Sequence, residues 1–167
     1  DAFCISAFQA LQALAYDGPV TAVTQCVTDA TRDALPAGTL EGLEVGAPVP
    51  VGVEDETTEL YRAVAAEYGT DIDTTRIAGV GAFVVTAGFA AAVEDIGADI
   101  TPDAVVAAMR AMPETELPGA GGLRFRCDGS AVPGSPAVCT PGSLTTTLDA
   151  EGQPTTYEPV GTGSSEG

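Results

Sequence analysis

The sequence contains serine and cysteine, which can act as nucleophiles in covalent catalysis, but it lacks the basic residues that normally activate them. The chain has no histidine, and its six basic residues are all arginine, so lysine is absent as well. A serine or cysteine nucleophile normally needs one of these bases beside it. One string, Gly163-Ser164-Ser165-Glu166-Gly167, matches the pattern G-x-S-x-G, but it lies in a terminal tail without the strand and helix that flank a nucleophile elbow. We therefore expect that the protein is not an enzyme and uses no cofactor.

Carboxylates are the remaining candidates for chemistry. The chain has 24 Asp and Glu residues and a net charge of −18 at pH 7. Two carboxyl groups about 5–10 Å apart in a groove could hydrolyse a glycoside, but no pair is singled out by its spacing. The acidic run Glu54-Asp55-Glu56, with Glu59, fits the first turn of a helix better than a cation site. A surface of this charge repels phosphate backbones, which excludes nucleic acid as a partner.

The four cysteines, Cys4, Cys26, Cys127 and Cys139, indicate disulfides rather than a metal site. Their separations resemble no Cys-x-x-Cys knuckle, and no histidine is present to complete a mixed site. Three connectivities are possible, and the sequence-local pairing Cys4–Cys26 with Cys127–Cys139 has the simplest geometry. Each closed loop would add about 3 kcal/mol of stability. Two disulfides predict an extracellular or periplasmic location, with a secretion signal that has been removed.

The first third of the chain predicts an α/β fold. Ala2–Ile5 is an apolar run of strand length, and the apolar spacing that follows predicts a helix ending at Asp17-Gly18-Pro19. Val20–Val27 is a second apolar run, so we expect a strand, a helix and a parallel strand. A third extended stretch, 43–51, contains Pro48 and Pro50, which favours an edge strand or a crossing segment.

The middle of the chain is predicted to be mostly helical. Near its end, apolar residues alternate with polar ones, which indicates strands. We expect one helix from Glu54 to Gly69, a small-residue helix over Ile77–Ile96 capped by Asp73-Thr74-Thr75, and a third that begins at Thr101-Pro102-Asp103. The interrupted apolar run 77–93 is too broken by glycine for a membrane span. The last elements predicted are a strand over Leu123–Cys127, a hairpin of Leu144–Leu148 with Pro154–Val160, and a disordered tail over 161–167.

The order of several short motifs resembles a known family. The Leu40-Glu41-Gly42 turn is followed by "ETTELYRAVAAEYG", by the helical stretch "GVGAFVVTAGFAAAVEDIGADITPDAVVAAMRAM", by "GAGGLRFRCDG" and by the hairpin "TTTLDAEGQPTTYEPV". This order is similar to the C-terminal half of type I periplasmic binding proteins. The chain is most similar to the receptors of ABC transporters for branched-chain amino acids, amides and urea, in their actinobacterial extracellular form.

The resemblance implies the architecture and the domain organisation. The expected fold is α/β, with parallel Rossmann-like sheet layers flanked by helices and a C-terminal antiparallel hairpin, as a partial type I fold. Residues 1–52 and 119–160 would belong to the C-terminal lobe, and residues 53–118 to the N-terminal lobe. The rest of the receptor chain would precede Asp1.

The resemblance also implies a function and a site. The protein would bind an amino acid, an amide or a related small polar solute and deliver it to a membrane permease, tethered as a lipoprotein. Ligands of open α/β sheets bind beyond the carboxyl ends of the strands. The predicted ligand-binding residues follow the first two predicted strands: Ser6, Phe8, Gln9, Gln25 and Asp29. The alternative interpretation makes Phe8 a core residue and Asp29 a helix cap, and the alternative function is a self-contained, disulfide-stapled extracellular binding or adhesion module.

Overall fold

The structure, a computed structural model, describes residues 2–54, 56–98 and 100–161. The chain forms two compact units. Unit 1 contains the chain up to Ala47 and Thr145–Glu158, and unit 2 contains Pro48–Leu144 and the chain from Pro159 onward. The chain therefore passes from one unit to the other three times. The lobe boundaries implied by the resemblance remain a prediction, and residues 162–167 of the expected tail, with the G-x-S-x-G string, lie outside the described residues.

The described part of the chain is mixed α/β. Its helices are Ala2–Ala13 (α1), Asp29–Ala34 (α2), Glu56–Tyr68 (α3), Ile77–Ala92 (α4) and Pro102–Ala111 (α5). Its strands are Thr21–Val23 (β1), Glu44–Ala47 (β2), Thr115–Glu116 (β3), Arg124–Phe125 (β4), Ser143–Thr147 (β5) and Glu158–Val160 (β6), and a 3₁₀ helix covers Thr24–Cys26. No helix among the described residues is long and apolar enough to cross a bilayer.

β1 and β2, which both belong to unit 1, form a parallel pair. β1 lies beside β2, with Thr21 opposite Glu44 and Val23 opposite Gly46. α2 lies between these strands in sequence, so β1, α2 and β2 form the parallel β-α-β connection. The full strand order is β1-β2-β5-β6, while β3 and β4 pair antiparallel in a separate sheet.

The prediction of a strand over Ala2–Ile5 is wrong, because these residues are the first turn of α1. The whole of α1 contains no glycine or proline, and alanine recurs along it at positions 2, 7, 10 and 13, so the helix is favoured locally. Cys4, Phe8 and Leu11 then share one face at helical spacing, and all three contact the core of unit 1. The parallel connection consequently begins at β1 rather than at Ala2–Ile5.

Two further strand predictions need correction. The run Val20–Val27 is extended only over β1, because its last residues turn into the 3₁₀ helix. β2 is not an edge strand, since it lies between β1 and β5, but the other alternative holds: the chain passes from unit 1 to unit 2 within this stretch, between Ala47 and Pro48. Pro48 and Pro50 follow β2 rather than interrupt it, so its N–H groups remain available for pairing.

The helices of unit 2 agree with the predicted ones, apart from the C-terminal end of α4. α5 begins as expected: the Thr101 hydroxyl accepts a hydrogen bond from the N–H of Ala104 at 3.2 Å. α4 ends at Ala92 rather than Ile96. Glu94 and Asp95 follow that end, where the helix dipole disfavours negative charge.

The predicted cap of α4 is also wrong in detail. The N-cap is Arg76, which makes no side-chain capping bond. The carboxylate of Asp73 instead accepts from the Thr75 hydroxyl at 2.6 Å, the Arg76 Nε at 2.8 Å and the Thr75 N–H at 3.0 Å. These bonds, led by that from the Thr75 hydroxyl, lower the pKa of Asp73 to about 2.

Each unit has its own apolar core and its own disulfide. Unit 1 buries the side chains Phe8, Leu35, Leu40, Leu43, Val45 and Leu148. Unit 2 buries a cluster of Ala92, Met112 and Phe125. The predicted disulfides are confirmed: Cys4 is bonded to Cys26 in unit 1, and Cys127 to Cys139 in unit 2.

The C-terminal hairpin is confirmed as well. Leu148 forms an antiparallel bridge with Pro154, and the N–H of Asp149 donates to the carbonyl of Gln153 at 2.9 Å. Gly152 adopts a φ of 72° at this turn, a conformation that glycine reaches without a steric penalty.

Candidate functional site

The candidate site is the edge of unit 1 where the parallel strands β1 and β2 end. Small ligands of parallel α/β sheets bind at the carboxyl ends of the strands, because helix N-termini and loops converge there. β1 leads directly into the 3₁₀ helix Thr24–Cys26, which places Gln25 at this edge. The Gln25 side chain is exposed, and its Oε1 accepts from the Thr24 hydroxyl at 3.4 Å. The edge therefore presents neutral donors and acceptors.

The Cys4–Cys26 disulfide attaches α1 to this edge. Its two Cα atoms are 5.4 Å apart, so the N-terminal half of α1 lies beside the 3₁₀ helix. Cys26 is next to Gln25 in sequence, which brings α1 and the candidate site into one local structure. The sequence predicted this pairing but not that a helix would carry Cys4.

The structure separates the three predicted residues of α1, with Phe8 on the buried face and Ser6 and Gln9 on the exposed side. Phe8 is 9% exposed and packs in the unit 1 core with Leu35, Val45 and others. Ser6 and Gln9 are exposed. At 100° per residue, Ser6 lies about 160° from Phe8 around the helix axis, and Gln9 about 100°. Phe8 thus occupies the position of a core residue, while Ser6 and Gln9 face solvent, and a ligand-binding role for each stays a prediction.

Asp29 begins α2 and is engaged by an arginine. Thr28 is the N-cap, and its hydroxyl accepts from the Thr31 N–H at 3.3 Å. Asp29 therefore supplies first-turn charge rather than the cap, and it forms an ion pair with Arg32 at 2.7 Å. A solute amine at Asp29 would compete with this arginine.

Arg32 is a residue that the sequence interpretation missed. Its Nη1 donates to the carbonyl of Gly152 at 3.2 Å and to that of Val27 at 3.5 Å. The guanidinium therefore ties α2 to the tip of the C-terminal hairpin. The i, i+3 spacing of Asp29 and Arg32 was a visible signal for the ion pair, but the bond to Gly152 joins residues 120 apart in sequence.

A cavity of about 330 Å³ lies at the other end of β2. It is lined by Arg32, by the segment 35–40 that precedes β2, and by 150–152 of the hairpin tip. None of the five predicted ligand-binding residues lines it. The cavity is therefore distinct from the carboxyl edge that carries Gln25.

The described residues offer no group of three or more His, Cys, Asp or Glu side chains that could hold a metal ion. Besides Asp73, one other carboxyl group in the described part of the chain has a clearly shifted pKa. The Ser130 hydroxyl, the Ser130 N–H and Arg126 lower the pKa of Asp128 to about 2. Both aspartates belong to unit 2 and stabilise turns, so neither shift marks the candidate site.

Comparison with known proteins adds one finding. A family model described as "Periplasmic binding protein" matches residues 1–138. The match includes β1, the 3₁₀ helix, β2 and all five predicted ligand-binding residues, and it extends through α3, α4 and α5. No curated protein matches the chain.

Proposed function

Because this chain belongs to the periplasmic binding protein family, we propose that it is the C-terminal portion of a solute receptor that serves an ABC transporter. Its solute is an amino acid, an amide or a related small polar molecule, as in the branched-chain amino acid, amide and urea group. The observation that carries this proposal is the family match over the parallel pair β1 and β2, at whose carboxyl edge Gln25 presents an exposed neutral amide.

The charge of the chain supports a polar, non-anionic solute. The net charge is −18, and the described edge around Thr24 and Gln25 has no unpaired arginine, since Arg32 is held by Asp29. A free phosphate or dicarboxylate would therefore meet repulsion without a compensating cation. A neutral or zwitterionic solute would exchange its water hydrogen bonds for those of amide and hydroxyl groups.

In this proposal the protein binds and carries its solute without chemical conversion. The rest of the receptor chain precedes Asp1 and completes the N-terminal lobe, to which residues 53–118 belong, while residues 1–52 and 119–160 belong to the C-terminal lobe. A permease in the membrane receives the solute. The two disulfides support an extracellular or periplasmic location, where a lipid anchor on the full receptor would hold it near the permease.

Thermal-shift screening of a receptor extended by its encoded upstream residues tests the proposal. Amino acids, small amides and urea are the ligand panel, and a saturable rise in the melting temperature is expected with at least one of them. Gln25→Ala should weaken that ligand about fivefold to tenfold, the cost of one neutral hydrogen bond. Gln153→Ala, which removes an exposed amide from the hairpin tip, is the matched control and should leave binding unchanged.

Two outcomes would contradict the proposal. No shift with any small polar solute would refute the receptor function. Equal effects of Gln25→Ala and Gln153→Ala would refute the assignment of the site to the carboxyl edge, while leaving the receptor function in place.

A second candidate function is a self-contained extracellular binding or adhesion module. The observation that favours it is that each unit contains its own disulfide. Under this alternative, the 167-residue chain would bind a protein or surface without any upstream sequence, and extending it would change neither its stability nor its binding.

A further inference from the structure

A second cavity lies within unit 2, between the C-terminal ends of α4 and α5. Its volume is about 370 Å³, within the range of small-molecule sites. We call the small apolar side chains and the methionine of its lining the floor: Ala91, Ala92, Ala108, Ala111 and Met112. Thr115 also lines the cavity and adds a polar side chain beside this floor. Because alanine methyl groups fill little space, the two helix ends leave room between them. The floor can cover a short aliphatic chain but offers it no hydrogen bonds.

The rim of this cavity is negative. Glu94 and Asp95 line it and are exposed, and neither belongs to the ion pairs found among the described residues. Among residues 56–98 and 100–161, no basic residue lines the cavity. Arg110 belongs to the last turn of α5 but lies outside the lining. A cation at the rim would therefore meet two carboxylates without competition from a basic side chain of the lining.

Backbone carbonyl groups add to this polarity. α4 ends at Ala92 and α5 ends at Ala111, so the negative ends of both helix dipoles lie at the cavity. Pro113, which also lines the cavity, has no N–H to donate back to the last carbonyls of α5. The carbonyls of Ala91 and Ala108 already accept the N–H groups of Glu94 and Met112, so the acceptors for a bound ammonium are the carbonyls of the final helical residues, Ala92 and Ala111.

We propose that this cavity is a binding site for a small primary alkylammonium ion. The ammonium group carries three N–H donors and one positive charge, which suit the carboxylates of Glu94 and Asp95 together with the helix-terminal carbonyls. The alkyl chain covers the apolar floor around Ala108 and Met112. A bare or hydrated metal ion would leave that floor exposed to water, and an anion would be repelled by the rim.

This site is independent of the proposed receptor function. The predicted solute residues Ser6 to Asp29 belong to unit 1, whereas every residue that lines this cavity belongs to unit 2. An amine bound here would add a second ligand class to the protein, whether or not the carboxyl edge binds a solute.

Methyl NMR on the 167-residue chain, with both disulfides formed, tests the proposal. The alanine methyl groups of the floor act as reporters, and n-butylammonium chloride is titrated at a fixed chloride concentration. Saturable shifts are expected at Ala91, Ala92, Ala108 and Ala111. The double variant Glu94→Gln, Asp95→Asn should weaken binding at least about tenfold, because both charged partners of the ammonium are lost.

The matched control removes two carboxylates from elsewhere in unit 2. Glu59→Gln with Glu67→Gln on α3 changes the net charge by the same amount and should leave the affinity unchanged. An equal loss in both double variants, or equal shifts with sodium chloride, would show general attraction of cations to an acidic protein and overturn the proposal. Equal affinity for neutral n-butanol would overturn it as well, because the carboxylates would then contribute nothing.

A filling variant gives an independent readout. Ala108→Leu places a larger side chain in the floor and should abolish the butylammonium shifts, while the circular dichroism spectrum shows that α5 remains folded. Retained binding by a folded Ala108→Leu variant would place the amine outside the cavity and refute the assignment.

Discussion

The contact between Tyr61 and Gly79 joins α3 to α4 and allows a sharp test of the packing in unit 2. Tyr61 is buried, its ring centroid lies 5.3 Å from that of Phe83, and its hydroxyl has no hydrogen-bond partner among the described residues. A Cβ built at Gly79 would lie 2.5 Å from the Tyr61 hydroxyl oxygen and 3.6 Å from Cζ. The hydroxyl is therefore the group that excludes a side chain at Gly79.

The expected effect of Gly79→Ala on the free energy of unfolding is the difference between two opposing contributions. Alanine in place of a helical glycine stabilises by about 0.5–1 kcal/mol. The overlap of the new methyl with the hydroxyl costs about 1–3 kcal/mol, because the ring packs on Phe83 and cannot move freely. Gly79→Ala should thus destabilise the native protein by about 1 kcal/mol. In a Tyr61→Phe background the nearest ring atom is at ordinary contact distance, so the same change should stabilise by about 0.5–1 kcal/mol.

A double-mutant cycle measured by urea unfolding and circular dichroism tests this change of sign. The coupling energy between the two positions is expected to be about 1.5–2 kcal/mol. Tyr61→Phe alone should be neutral or stabilising, because it removes a buried hydroxyl that has no partner. Gly81→Ala is the matched control: it lies in the same helix, and a Cβ there meets nothing within 4 Å. It should stabilise both backgrounds equally.

One result would refute the reasoning. If Gly79→Ala shifts stability by the same amount with Tyr61 and with Phe at that position, the hydroxyl does not limit the approach of α3 to α4. A destabilising Gly81→Ala would show that helix propensity does not govern α4, and the magnitude above would then lose its basis.

Three further predictions concern the disulfides, acid and salt. Replacing Cys4 and Cys26 by serine should lower the free energy of unfolding by about 3 kcal/mol and speed hydrogen exchange in α1. Unchanged hydrogen exchange would show that packing alone holds α1 in place. The folded pKa of Asp128, about 2, lies below its ordinary value of 3.8. The stability that this carboxylate contributes is therefore present above about pH 4 and is lost as the pH falls toward 2. Asp128→Asn should reduce this loss of stability in urea titrations, and an unchanged pH profile would contradict the prediction. Raising sodium chloride from about 0.01 to about 0.5 M should raise the melting temperature, because salt screens the repulsion within a chain of net charge −18; a steady fall would refute this.

Much of the helical structure could be read from the sequence, because its signals are local. The capping threonine and first-turn proline of α5 lie next to each other, and the hairpin turn at Asp149–Gly152 is a short polar interval between apolar runs. The strands were harder. Ala2–Ile5 is too short to distinguish period two from period 3.6, and the choice depended on the Cys4, Phe8 and Leu11 contacts with the rest of unit 1.

In the candidate site, too, some features could be predicted from the sequence and others could not. The location of Gln25 near the carboxyl end of a strand was predictable from the apolar run Val20–Val27, although the strand itself ends at Val23. The inward orientation of Phe8 was not, because it follows from α1 being a helix. Nor was the Arg32 bond to Gly152, which joins distant parts of the chain.

The sequence by itself determined the chemical character of this protein: its strong negative charge, the absence of histidine and lysine, the local pairing of its cysteines and its family. These properties depend on composition and on short motifs, which are present before the chain folds. Only the tertiary structure decided that α2 connects the parallel strands, that β2 lies inside the sheet, and that the ends of α4 and α5 enclose a negatively rimmed cavity. Strand pairing and cavities depend on contacts between distant residues, and the free energy of those contacts is not encoded in any single stretch of the chain.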